Sequence, residues 1–262
     1  MFTTSSGNAT STDHRTDWRR SPSPAAAAER LSTEEAQAIA GADWLGEQAH
    51  ELAWLLTAMA EIRRLPAGTA LGRGTARGHD EWCGVARGVV KLCSTTAAGQ
   101  LLIVRLVEPG DWFGRLPLFD DAPAALDLEA HACTDITLLS IRQRELAALL
   151  QQRPELALAF ARLYGRRASQ MQARFADAVS LSLEQRLIAE LLGLAQRFGV
   201  ACAAGTRIAL RLTQQDLANL LGASRQRTNG ALKRLERQQL LRVEISGALL
   251  LRDEAGLRTM ML

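Results

Sequence analysis

The stretch Leu212–Glu236, LTQQDLANLLGASRQRTNGALKRLE, constrains this chain more than any other. Thr213 can cap a helix, with Asp216 three residues on as a capping-box partner of shorter reach than glutamate. Leu217, Leu220 and Leu221 then share a face, and Gly222 ends the helix. Ser224 begins a second helix, whose apolar stripe is Ala231, Leu232 and Leu235. Two helices joined only by Gly-Ala-Ser predict a helix-turn-helix, whose second helix offers its N-terminal side chains to base edges in the DNA major groove. Here those residues are Arg225, Gln226, Asn229 and Gly230. Arginine can bond guanine twice, and glutamine or asparagine can do the same to adenine. Arg227, Lys233 and Arg234 fall beside the phosphates, and Gln214 is assigned to them as well.

An ordinary helical hairpin with a solvated arginine face would show the same spacing, so charge has to decide. Between Gly205 and Arg252 stand nine basic residues and three acidic ones, a local net of +6, whereas the whole chain carries +3. Positive charge is concentrated at one end and the remainder is net acidic, as phosphate binding by that end requires.

Upstream, residues 1–31 are rich in Ser, Thr, Pro and Ala and poor in large apolar groups, which predicts a disordered tail. Ser32 can cap a helix ahead of Glu34 and Glu35. A stronger helical pattern covers Glu47–Ile62, where Leu52, Leu55, Leu56 and Met59 share a face. From Arg63 to Ile141, glycines punctuate short runs at Trp82–Arg87, Val89–Ser94, Leu101–Glu108 and Asp135–Ile141, the pattern of strands in a small antiparallel sandwich or jelly roll.

Gln143–Ser180 reads as helical, interrupted by Pro154, which can open a new helix. Ala161, Tyr164, Ala168, Met171, Phe175 and Ala178 recur there at alternating spacings of three and four, a heptad seam that predicts pairing with a second copy. The helix Glu184–Phe198 carries Leu187, Leu191 and Leu194 on one face. Leu241–Ile245 and Ala248–Leu251 flank Ser246-Gly247 as a two-stranded wing. The domain boundaries expected are a sensor-like domain at 32–150, a dimerisation helix at 151–182 and a DNA-binding domain at 183–262.

Jelly rolls also serve enzymes. A metal-dependent one needs clustered His and Glu ligands, but His79 and His131 stand apart, and no serine occupies a G-x-S-x-G turn. Cys83, Cys93, Cys133 and Cys202 form no C-x-x-C, so buried free thiols are expected rather than a zinc or iron–sulfur site. No apolar run spans a bilayer, and the Ala25–Ala28 run is too short for a signal-peptide core, which places the chain in the cytoplasm.

With GVARGVVKL at Gly84–Leu92, EPGDWFGRLPLFD at Glu108–Asp120 and the helix-turn-helix stretch, the chain resembles the Crp/Fnr family of bacterial transcription regulators beyond its tail. The resemblance implies that Arg225, Gln226 and Gly230 face bases and that Thr213, Ser224 and Lys233 help hold phosphates. Gln226 stands where a glutamate often reads cytosine, and Gly230 where an arginine often reads guanine, so the family's best-known operator is not expected. The effector cassette departs further. Members that bind cyclic nucleotides offer a glutamate to the ribose and an Arg-Ser pair to the phosphate. This chain has Arg115, after Gly114, and then Ala125 and Leu126. Arg115 is expected to pair with Asp120, Asp121 or Asp127.

The resulting expectation is an α+β chain with an antiparallel β jelly roll, a long dimerisation helix and a C-terminal winged helix-turn-helix. It would bind a palindromic operator in double-stranded DNA as a homodimer, with RNA polymerase as partner, and would not be an enzyme. No cofactor, metal or membrane is expected, and any small-molecule effector is not cyclic AMP. The alternative is a sensor of a cyclic nucleotide or cyclic dinucleotide whose ligand controls DNA binding.

Overall fold

The computed structural model describes residues 31–73, 81–114, 128–245 and 247–261. All but the last residue of the expected tail lies outside them, and that residue, Leu31, is buried in the first helical layer.

Helix α1, Thr33–Ala40, starts with a complete capping box between Ser32 and Glu35. Glu35 is buried: its carboxylate accepts from Ser32 N at 2.8 Å and from Thr137 Oγ1 at 2.6 Å, which ties the helix to the sheet behind it. A 3-10 turn at Asp43–Gln48 leads into α2, Ala49–Met59. The helix expected over Glu47–Ile62 is therefore shorter. Ile62 lies in strand β1, Glu61–Leu65, opposite Leu139, because pairing across the sheet outweighs a helical spacing that ends there.

Two four-stranded antiparallel sheets form the jelly roll. One runs β1-β8-β3-β6, built from Glu61–Leu65, Ile136–Arg142, Glu81–Arg87 and Trp112–Phe113. The other runs β2-β7-β4-β5, built from Ala70–Arg73, Glu129–Ala132, Val90–Thr95 and Leu101–Val107. Val85, Val90, Leu92, Val107, Phe113 and Leu138 fill the space between them. On the outer face of the first sheet, Trp82 stacks on Trp112 with centroids 4.2 Å apart, and Phe160 meets Trp82 edge-on. Gly84 makes room for this, since a Cβ there would stand 2.5 Å from the Trp112 indole.

Helix α3, Gln143–Gln152, and α4, Glu155–Ser180, are divided by Pro154. The first turns of α4 bury Leu156, Ala159, Phe160 and Leu163 against the helical layer; beyond Tyr164 its residues are almost all exposed. Helix α5, Leu183–Phe198, follows a second capping box, Ser182 with Gln185. The hairpin β9–β10, Gly199–Cys202 and Gly205–Ile208, was not anticipated from sequence. It joins the wing strands β11, Leu241–Val243, and β12, Leu249–Leu251, in one sheet ordered β11-β12-β10-β9. Between the hairpins lie α6, Gln214–Leu221, and α7, Arg225–Arg237, and α8, Glu254–Thr259, closes the chain. The hydrophobic core of this C-terminal unit is continuous with the outer face of the second sheet: Val89, Cys93, Ile103 and Leu106 pack into the same cluster as Leu191, Leu217, Leu221 and Leu232.

Candidate nucleic-acid interface

The helix-turn-helix is assembled by local chemistry. Thr213 Oγ1 accepts from Asp216 N at 3.0 Å, and Asp216 Oδ2 accepts from Thr213 N at 3.1 Å, so the aspartate completes the box despite its shorter side chain. Gly222 ends α6 in the left-handed region at φ 60, where a Cβ is disfavoured. Ser224 Oγ then accepts from Arg227 N at 3.3 Å and starts α7, which buries Thr228, Ala231, Leu232 and Leu235. That stripe turns the opposite face outward. Arg225, Gln226, Arg227 and Lys233 are exposed, as are Thr213 and Ser224, while Gln214, Asn229 and Gly230 are half-buried.

Among the described residues, Arg225, Arg227 and Lys233 form no ion pair, so their charge is available to an external anion. Arg234 differs: its Nε donates to Glu184 of α5 at 2.5 Å, which binds the reading helix to the helix beneath it. Arg234 therefore already has a partner within the chain, unlike Arg227 and Lys233 among the described residues. Arg207 likewise pairs with Glu244 at 2.9 Å, between β10 and the wing. The tip of the β4–β5 hairpin, at Gly99–Leu101, shares an open cleft with Gln215, Ser224 and Arg227.

Of the residues expected in the effector cassette, Gly114 is placed at φ 107, with Glu81 O only 2.7 Å from where a Cβ would stand. Arg115, Ala125 and Leu126 lie outside the described residues, as do the three aspartates expected to pair with Arg115. Beside Gly114, two arginines missed by sequence reasoning converge. Arg105 pairs with Asp111 at 3.0 Å and donates to Trp112 O at 2.7 Å. Arg167, reaching in from α4, donates to the same carbonyl and lies 3.4 Å from Asp111. Burial, with the neighbouring Arg167 charge, pushes the Arg105 guanidinium down to about 10. Their spacing, one on a strand and one on a helix 62 residues later, left no local signal.

The seam residues Ala161, Ala168, Met171, Phe175 and Ala178 are exposed, with Met171 at 62% and Phe175 at 72%; Tyr164 is half-buried against the helical layer. Val179, which the sequence pattern did not include, is equally bare at 73%. His131 lies 3.5 Å from Glu129, and among the described residues no three metal-ligating side chains converge. Cys83 and Cys93 are buried as expected, but Cys202 is exposed on edge strand β9. No helix among the described residues is long and apolar enough to cross a membrane.

Two family models match this chain, a cyclic nucleotide-binding domain at residues 62–153 and a Crp-like helix-turn-helix domain at residues 185–260. The CRP-like cAMP-activated global transcriptional regulator of Mycobacterium tuberculosis is 31% identical over 157 residues, covering 60% of this chain and 69% of its own length. The global nitrogen regulator of a Nostoc species is 29% identical over 157 residues, covering 60% and 70%. Among solved structures, the c-di-GMP-responsive regulator CLP of Xanthomonas campestris superposes with a TM-score of 0.64 at 22% identity, over 74% of this chain and 94% of that one. A CooA variant from Carboxydothermus hydrogenoformans gives 0.63 at 19% identity, over 78% and 88%, a likeness of fold alone. Between its sensor-type sheet domain and its Crp-like reading helices, the chain belongs to the Crp/Fnr family of bacterial transcription regulators.

Proposed function

We propose that this regulator acts in the cytoplasm as a homodimer that reads a palindromic operator, with Arg225, Gln226, Asn229 and Gly230 toward bases and Thr213, Gln214, Ser224, Arg227 and Lys233 toward phosphates. The observation that carries the reading is the exposure of Arg225, Arg227 and Lys233 on α7 with no ion pair among the described residues, on a doubly capped helix-turn-helix. A row of positive charge beside hydrogen-bonding side chains suits a duplex, whose phosphates supply affinity and whose base edges supply choice. The bare seam of α4 suits a two-fold partner, with half-site centres about 34 Å apart. RNA polymerase is the further partner of a regulator at a promoter.

The effector is not cyclic AMP. The Mycobacterium relative is named for activation by that nucleotide, but Ala125 and Leu126 cannot donate a side-chain hydrogen bond to a cyclic phosphate, and Arg115 cannot accept one from a ribose. A second reading, a sensor for a different anionic ligand such as a cyclic dinucleotide, is favoured by the convergence of Arg105 and Arg167 beside Gly114.

Selection of a preferred duplex from a random pool, followed by anisotropy titrations across salt with and without cyclic AMP, tests both parts. Preference for a palindrome, a steep salt slope and indifference to the nucleotide are expected. Equal affinity for every duplex would overturn the regulatory reading, and micromolar nucleotide binding that tightens operator affinity would overturn the effector reading.

A further inference from the structure

Lys91 and Lys233 are the only lysines in a chain that otherwise carries its positive charge as arginine. Lys233 belongs to the reading helix. Lys91 lies 125 residues before Asp216 in sequence, on the face of β4 that meets the C-terminal unit, and its Nζ donates to Asp216 Oδ1 at 2.7 Å. Asp216 is the residue that caps α6 through its other oxygen, which accepts from Thr213 N and Oγ1. One carboxylate thus bonds to the sensor sheet on one side and to the first turn of the helix-turn-helix on the other.

The surroundings make this pair a joint. Cys93, Ile103 and Leu106 of the sensor lie in one apolar cluster with Leu217 and Leu221 of α6. The Asn219 amide, oriented to suit its acceptors, donates to Leu101 O at 3.1 Å. Farther out, Arg197 at the end of α5 reaches Glu108 at 2.7 Å. Apolar contact is non-directional and lets the two surfaces slide, whereas a hydrogen-bonded ion pair sheltered among them holds one register. In this register Arg225, Gln226 and Arg227 still face outward.

We propose that Lys91 is a positioning residue for operator recognition: by gripping the capping carboxylate of Asp216, it sets the angle at which each sensor domain carries its reading helix. The proposal rests on the dimeric DNA-binding reading above. A palindrome demands two heads at once, so if losing the grip leaves each head correctly aimed about one third of the time, affinity falls by about the square, roughly tenfold. A single half-site needs one head in any orientation of the other and loses little.

The native cysteines report the joint without engineering. Cys93 is sealed within it, Cys83 is buried inside the jelly roll, and Cys202 is exposed. Timed alkylation of the full chain, read by mass spectrometry, is compared with titrations on a palindrome and on an isolated half-site, for wild type, Lys91→Ala and Lys91→Arg. In Lys91→Ala we expect Cys93 to react at least about tenfold faster with Cys83 unchanged. Palindrome binding should weaken about tenfold while half-site binding stays within about twofold, and Lys91→Arg should recover both. Unchanged Cys93 protection with unchanged palindrome affinity would overturn the proposal. Equal loss on both duplexes would overturn it in favour of a simple capping role, and exposure of Cys83 together with Cys93 in favour of a role in sheet stability. A wild type that binds neither duplex would sink the DNA-binding reading, while the thiol measurement still decides whether Lys91 holds the joint.

Discussion

Phe175→Asp offers the sharpest separation of the dimer from the fold. The side chain is 72% exposed on α4, where the described residues of the protomer cover little of it, so its loss costs the isolated protomer little. If the seam is a two-fold interface, each copy withdraws about 145 Å² of ring surface from water, taking about 200 Å² for a full phenylalanine. At about 25 cal/mol per Å² the two copies contribute about 7 kcal/mol, an upper bound. Realising half of that gives about 3.5 kcal/mol, so the dimer dissociation constant should rise by a factor of a few hundred. Two aspartates facing each other across the axis add repulsion on top. Sedimentation velocity at micromolar concentration should show monomers, with secondary structure retained and operator binding lost in step. A variant that stays dimeric and binds its operator normally would refute the assignment of this face.

Arg225→Ala should cost about 1–3 kcal/mol on the operator and relax choice at one base pair per half-site, whereas Lys233→Ala should weaken all duplexes alike and flatten the salt slope; competition titrations against single-base variants would tell them apart. Burial raises the pKa of Glu35, but hydrogen bonds from Thr137 and Ser32 and the charges of Arg64 and Arg87 outweigh it and leave the carboxyl below its ordinary value. A depressed folded value means stability that is complete above the unfolded pKa of about 4.3 and is lost as pH falls through the folded one. Chemical denaturation across pH 3–7 should accordingly show a steeper acid loss in wild type than in Glu35→Gln, and parallel curves would discount this carboxylate.

The reading unit was legible because its signals are local. Thr213, Gly222 and Ser224 each act within four residues, and Leu217, Leu232 and Leu235 fall where a helical period puts them. Four of the eight strands of the jelly roll, β3, β4, β5 and β8, were legible from glycine punctuation for the same reason, whereas β1, β2, β6 and β7 were not. What stayed hidden depends on distance. Nothing near Ile62 in sequence announces that it will pair with Leu139, and nothing near Arg234 announces Glu184. The β9–β10 hairpin escaped because Gly199–Cys202 is exposed along its whole length and so lacks the alternation of buried and exposed residues that marks a strand. Lys91 did carry a signal, its rarity as a lysine. Its partner, however, could be found only in three dimensions.

The stacking of Trp82 on Trp112 has an optical consequence. All five tryptophans of the chain, at positions 18, 44, 54, 82 and 112, precede α3, and the C-terminal unit contains none. Intrinsic fluorescence is therefore a private reporter of the N-terminal half, and the stacked indoles, 4.2 Å apart, should give that half a near-ultraviolet circular dichroism signal that depends on their fixed packing. Far-ultraviolet dichroism at 222 nm samples the helices of both halves. A melt followed at both wavelengths thus asks whether the two halves come apart together: coincident curves mean that the shared core makes them a single thermodynamic unit.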